Sequence, residues 1–142
     1  MNRSLYGAVV IATLFAASPA KEKEFVDAYR NAFESKNEAA LVGMLYTKGA
    51  DPRAVEFYKM MLTNDAGGKI LSIELVALTP EDKARLAKMP SPDGKPMHMN
   101  LPVIKKLVVK SEKKDENGSV TSNNEVFVAE SAGKIVIPVP AT

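Results

Sequence analysis

Beyond the first twenty residues, apolar positions pass from a helical to a mainly strand-like spacing at Gly67-Gly68, and that switch restricts the fold more than any other feature. Ahead of the two glycines they recur every three to four positions, the period of helices with one buried stripe. Behind them they alternate or run in short blocks rich in Val and Ile, as strands do. Helices followed by strands, without the regular alternation of βαβ units, predict an α+β domain.

The helical half divides into three. Over residues 21–35, Phe25, Tyr29, Ala32 and Phe33 stand at i, i+4, i+7 and i+8, while Asp27, Arg30, Asn31 and Glu34 fall off that stripe. Asn37 suits an N-cap and Glu38 the positive end of a helix dipole. Ala40, Leu41, Met44 and Leu45 then carry a second stripe towards Gly49, the expected stop. Asp51-Pro52 opens a third helix, with proline where its missing N–H costs nothing, and Val55, Tyr58, Met61 and Leu62 form its inner face.

In the strand-forming half, 69–79 is almost continuously apolar, with Leu71, Ile73, Leu75 and Ala77 on one side and Ile70, Val76 and Leu78 on the other. Such a run predicts a strand covered on much of both faces. Thr79-Pro80-Glu81-Asp82 starts a short helix, and the proline-rich loop 89–96 ends it. Three further strands, over 103–113, 120–130 and 134–139, turn at Asn117-Gly118 and Ala132-Gly133, which completes a mostly antiparallel four-stranded sheet. Pro138 and Pro140 remove backbone donors, so the last strand is expected to end at an edge or to fray there.

The first twenty residues have the build of a secretory signal peptide. Arg3 supplies a positive start, residues 8–17 an uncharged apolar run, and Ser18-Pro19-Ala20 small residues at the positions a signal peptidase reads. The run is too short for a membrane anchor and is followed at once by Lys21-Glu22-Lys23-Glu24, so cleavage after Ala20 is expected. The mature protein would be one domain, 21–142, exported to a periplasm or the cell exterior, with no stable membrane anchor. Without any cysteine it has neither disulfides nor the lipid-bearing cysteine of a lipoprotein, and must be held by its core. The chain carries 19 Lys and Arg against 17 Asp and Glu, and loss of Arg3 leaves it one charge from neutral. That balance gives no footprint for nucleic acid. The lysine-dense stretch from Lys105 to Lys114 also holds Glu112, and it reads as a solvated strand face.

The segment Phe25-Val26-Asp27-Ala28-Tyr29-Arg30-Asn31-Ala32-Phe33, with its continuation through Asn37 to Leu41, resembles the opening helix, break and second helix of the nuclear transport factor two-like superfamily. This superfamily is also called cystatin-like and includes the polyketide-cyclase-like proteins. Ser131-Ala132-Gly133-Lys134-Ile135-Val136-Ile137 is similar to its closing turn and last strand. The resemblance spans nearly all of 21–142. It implies a cone-shaped domain in which amphipathic helices pack on a curved, mostly antiparallel sheet, and it implies no particular activity.

Enzymes of that superfamily join an Asp and a His in an apolar pocket between helix and sheet. The residues here that correspond in type are Asp27, next to the first stripe, and His98, the only histidine, beside the proline-rich loop. No orienting carboxylate stands near His98 in the sequence, and an exposed residue is the simpler reading. Met97-His98-Met99 has the thioether and imidazole donors that suit Cu(I), with Met89 near enough to add a third thioether. Core filling is the competing use of these methionines. Tyr29, Tyr46 and Tyr58 bring hydroxyls to the helical half and are the candidates for a ligand-pocket wall, against a plain role in packing. Phosphate loops, a nucleophile elbow and zinc spacings are absent from the sequence, and nothing in it calls for a cofactor.

Three functions follow in order of preference. The first is an exported binding domain, with a cleft for a small apolar ligand or a protein partner. The second is a small isomerase, dehydratase or cyclase using Asp27 or His98 with a tyrosine hydroxyl. The third is a homodimer whose sheets pack face to face.

Overall fold

The computed structural model describes residues 18–90 and 94–142. All but the last three residues of the expected leader, and Ser91-Pro92-Asp93 of the proline-rich loop, lie outside the described residues.

Helix α1 (Pro19–Glu34) begins two residues before the expected boundary, because the Ser18 hydroxyl caps it by accepting from the Lys21 N–H at 3.2 Å. All four residues of its stripe, Phe25, Tyr29, Ala32 and Phe33, are buried. Lys36 reverses the chain at φ 55°, and Asn37 caps α2 (Glu38–Val42) through the Ala40 N–H at 3.1 Å. Here the expectation fails: α2 ends at Gly43, well short of Gly49. Leu45 and Tyr46 instead form a two-residue strand, β1 (Leu45–Tyr46), parallel to a strand from the far end of the chain. The Ile137 N–H donates to the Met44 carbonyl at 2.9 Å, a tertiary bond that replaces another helical turn. Helix α3 (Pro52–Asn64) starts as expected, with the Asp51 carboxylate accepting from the N–H groups of Arg53 and Ala54 at 2.8 and 3.4 Å.

After Gly67-Gly68 come β2 (Lys69–Val76), α4 (Pro80–Ala87), the short β3 (His98–Met99), the long β4 (Lys105–Asp115) and β5 (Gly118–Ser131), then β6 (Lys134–Pro138) and β7 (Pro140–Ala141). The main sheet has the order β1-β6-β5-β4-β2. It is an open sheet of five strands, not four, antiparallel except where β1 meets β6. The additional strand covers β6, which is therefore not an edge, and the strand stops at Pro138. Pro138 closes β6 in a buried position, and the Val139 N–H donates to the Asn100 side-chain oxygen at 2.9 Å. Pro140 then pairs with Met99 in a separate two-stranded ribbon, β3-β7.

Strand β2 also departs from its sequence pattern. A break in register between Ile70 and Ser72 places Ile70 in phase with Ile73 and Leu75 on the core face, and leaves Leu71 46% exposed. With Glu74 also exposed, the outer face of β2 is open rather than covered. Leu107, Val109, Val126 and Val128 complete the inner face against α1, beneath Phe25, Tyr29 and Phe33.

Helix α4 lies on the opposite face. A capping box joins Thr79 and Asp82, whose backbone N–H groups are each bonded by the other's side chain, at 2.8 and 3.1 Å. Asp82 is fully buried and also meets the Lys106 ammonium at 3.0 Å and the Arg85 guanidinium. Lys106 reaches Glu125 at 2.9 Å, and Arg85 sits 6.0 Å from the centre of the Phe127 ring. Lys106 and Phe127 are paired in register, one residue out of phase with the core pair Leu107 and Val126, so these contacts fasten α4 to the outer side of the sheet. The lysine-dense stretch is therefore not a uniformly solvated face: Lys106 is buried, and Lys105 bonds Glu22 of α1 at 2.9 and 3.0 Å.

Candidate functional site

The cap at Asp51 sets the phase of α3. From there Ala54, Phe57 and Tyr58, at i, i+3 and i+4, share one face that the core does not fully use. Facing them is the base of the proline-rich loop, where Met89 and Met97 form an isolated antiparallel bridge that sets their side chains together. Pro140 of β7 closes the end, held by the bond from the Asp51 N–H to its carbonyl at 3.0 Å. The result is an apolar cleft of about 290 Å³, built from four separate parts of the chain.

Its walls are aromatic and thioether. Phe57 is 56% exposed and meets Tyr58 edge-on, with ring centres 6.3 Å apart. Burial raises the pKa of the Tyr58 hydroxyl, which keeps it protonated and able to donate a hydrogen bond. On the rim, Arg53 and Asp51 are paired at 3.4 Å. The Arg53 side chain, its backbone N–H and the Ala54 N–H hold the Asp51 carboxyl below its usual range against some desolvation. The cleft thus offers apolar surface, one hydroxyl donor and an ion pair at its mouth.

The residues singled out in the sequence do not gather here. Asp27 is exposed on α1 and paired with Lys23, so it stands in solvent rather than in a pocket. His98 is exposed on the β3-β7 ribbon, opposite Ala141. Asp27 and His98, the alternative candidates for a base, are thus both exposed and lie outside the cleft. Tyr29 lies in the core, stacked on Phe33 with centres 6.0 Å apart and tilted against Phe25 at 6.4 Å. Burial, and secondarily the charge of Asp65, push its hydroxyl up to about 12. Tyr46 sits half-buried in β1, its carbonyl bonded by the Asn100 side chain at 2.7 Å. Of the three tyrosines only Tyr58 lines the cleft, so they do not form one wall.

The Met97-His98-Met99 constellation is likewise divided. Met97 faces the cleft beside Met89, whereas Met99 lines a second, larger cleft against α4. The thioethers on either side of His98 therefore do not converge on one ion. Among the described residues no group of three or more His, Asp or Glu side chains could hold a metal. Phe57 is the cleft residue that sequence reasoning does not single out, although the sequence carries a signal for it: an aromatic off the Val55-Tyr58-Met61-Leu62 stripe of its helix.

Comparison of the chain with family models, with curated proteins and with solved structures found no match. Among the described residues no helix is long and apolar enough to cross a membrane.

Proposed function

We propose that this is an exported binding domain without catalytic machinery, and that the cleft between α3 and the Met89–Met97 bridge takes a small, largely apolar ligand bearing a hydrogen-bond acceptor. The observation that carries this reading is Phe57, a large ring left 56% exposed beside two methionines and the Tyr58 hydroxyl in an otherwise apolar cleft. Ligand sites have this make-up, apolar walls with a few polar groups that fix orientation, and about 300 Å³ is the lower end of their usual size. Export rests on the leader pattern of 1–20, and the absence of disulfides is compatible with it.

The cone-shaped arrangement expected of the nuclear transport factor two-like superfamily is part of the same proposal. It is supported by the order of elements and by α1 lying closest to β2 and β6, on either side of β4 and β5, as a helix does when a sheet curves around it.

The test uses the uncharged fluorescent probe N-phenyl-1-naphthylamine. The chain is expected to bind it at one saturable site, and Phe57→Ser to weaken binding about tenfold, since burying a phenyl ring contributes about 1.5 kcal/mol or more. Phe57 lies outside the core, so the variant should unfold at the same urea concentration. Equal binding by the variant and the natural chain would overturn the assignment.

A further inference from the structure

Helix α4 contributes both to the sheet contact and to a cleft beside it. Asp82 and Arg85 turn to the sheet, where the buried carboxylate holds Lys106 and the guanidinium approaches Phe127. Lys83 and Leu86, again three residues apart, flank that face on the side of the segment that runs from β3 into β4. Between them lies an open cleft of about 550 Å³, lined by Leu78, Lys83, Leu86, Met99, Leu101 and Val103. Its far wall is fixed by Asn100, whose amide nitrogen donates to the carbonyls of Tyr46 and Lys48 at 2.7 and 3.2 Å, while its oxygen accepts from the Val139 N–H. Both walls are thus held by hydrogen bonds that a ligand would not need to break, which lowers the cost of ordering on binding.

Of the charged residues of α4, Asp82 and Arg85 are ion-paired, whereas Glu81 and Lys83 have no ion-pair partner among the described residues. Among the described residues Lys83 is the one charged side chain lining this apolar cleft. We infer that the α4 cleft binds the monomer of an amphiphile with an anionic head, a medium-chain carboxylate, with the alkyl chain along Leu78, Leu86, Met99 and Leu101 and the carboxylate on the Lys83 ammonium. Charge complementarity selects this occupant: a neutral apolar molecule leaves Lys83 unpaired at the rim, and a cationic one is repelled by it. The site is separate from the cleft beside Phe57, and the inference does not depend on that reading.

Calorimetric titration of the full chain with decanoate, below its micelle concentration, tests it. Decanoate is expected to bind at a single site, and decyltrimethylammonium, with the same chain and the opposite charge, to bind at least tenfold more weakly. Lys83→Gln is expected to weaken decanoate about fivefold and to abolish the preference for the anion, the range of a partly exposed ion pair. Phe57→Ser should leave decanoate binding unchanged, which separates this site from the other. No binding of decanoate at about 1 mM, equal binding of the cationic amphiphile, or an unaltered affinity in Lys83→Gln would each overturn the proposal. So would association only with phosphatidylglycerol vesicles in a co-sedimentation arm, because the bound species would then be a lipid surface and not a monomer.

Discussion

At the scale of single residues, Gly68 shows how narrowly α3 is joined to the sheet. A Cβ at this position would lie 2.9 Å from the carbonyl oxygen of Glu112 and 3.4 Å from that of Asp65, both backbone atoms with little freedom to retreat. The close approach is needed because Lys69, the next residue, pairs with Glu112 at the first rung of β2 and β4. Gly68→Ala is therefore expected to destabilise the protein by about 1–3 kcal/mol, the usual range for overpacking. Urea unfolding measures it, and an unchanged midpoint would mean that the β2–β4 rung gives way easily. The glycine pair was visible in the sequence as a helix breaker, but its contact with Glu112 was not, because the partner lies more than forty residues on. Phe57 and Asp82 were similarly undervalued. Each follows a local rule, one as an apolar residue on a helix and one as a helix cap, while its significance comes from what the rest of the chain places beside it.

At the scale of elements, α4 illustrates a helix held by charge. The Thr79 backbone N–H is the largest influence lowering the pKa of Asp82, followed by Lys106, the Thr79 hydroxyl and Arg85, and together they outweigh desolvation and hold the carboxyl well below its usual range. Lys106 is raised in turn, by Glu125 first and then by Asp82. A carboxyl whose pKa is lower in the folded than in the unfolded chain stabilises the fold fully above the unfolded value, about 3.9, and loses that contribution as the pH falls towards the folded value. The urea midpoint is therefore expected to be nearly level from pH 7 to about pH 5 and to fall below about pH 4. Asp82→Asn, measured across the same range, should be less stable at pH 7 and show a shallower acid-side fall. If the two curves run parallel, Asp82 does not provide the pH dependence. Lys106 titrates far above this window, so the acid-side change belongs to the carboxyl. The capping box itself was legible from Thr79-Pro80-Glu81-Asp82, since it depends on neighbours three residues apart. The attachment to the outer face was not, because Lys106 belongs to a strand whose register had first to be set.

At the scale of the whole molecule, the expected cleavage after Ala20 and the start of α1 at Pro19 have a joint consequence. Cleavage there would take away both the Ser18 cap and the proline of the first turn. A chain beginning at Lys21 is expected to be about 1 kcal/mol less stable than one beginning at Ser18, the usual worth of an N-cap, and chemical denaturation of the two recombinant chains would measure it. Equal stability would show that α1 is held wholly by its buried stripe and by the Glu22–Lys105 ion pair. The core tolerates such fraying at its margin because Phe25, Tyr29 and Phe33 begin more than a full turn inside the helix.

The sequence by itself determined the order and class of the elements: three amphipathic helices, a breaker at Gly67-Gly68, a capped short helix and a series of antiparallel strands. Period, capping and turn chemistry act over at most four residues, so they are written in the local order of the chain. Only the tertiary structure decided that Leu45-Tyr46 becomes a parallel strand, that β2 slips its phase at Leu71, and that Tyr29 is core while Phe57 lines a cleft. It also decided that Met97 and Met99 belong to different clefts. Each of these outcomes depends on a partner distant in the sequence, such as Ile137 for Leu45 or Met89 for Met97. Local preference carries no information about which distant segment will arrive, and the free energy that selects it comes from burial and hydrogen bonding in the assembled fold.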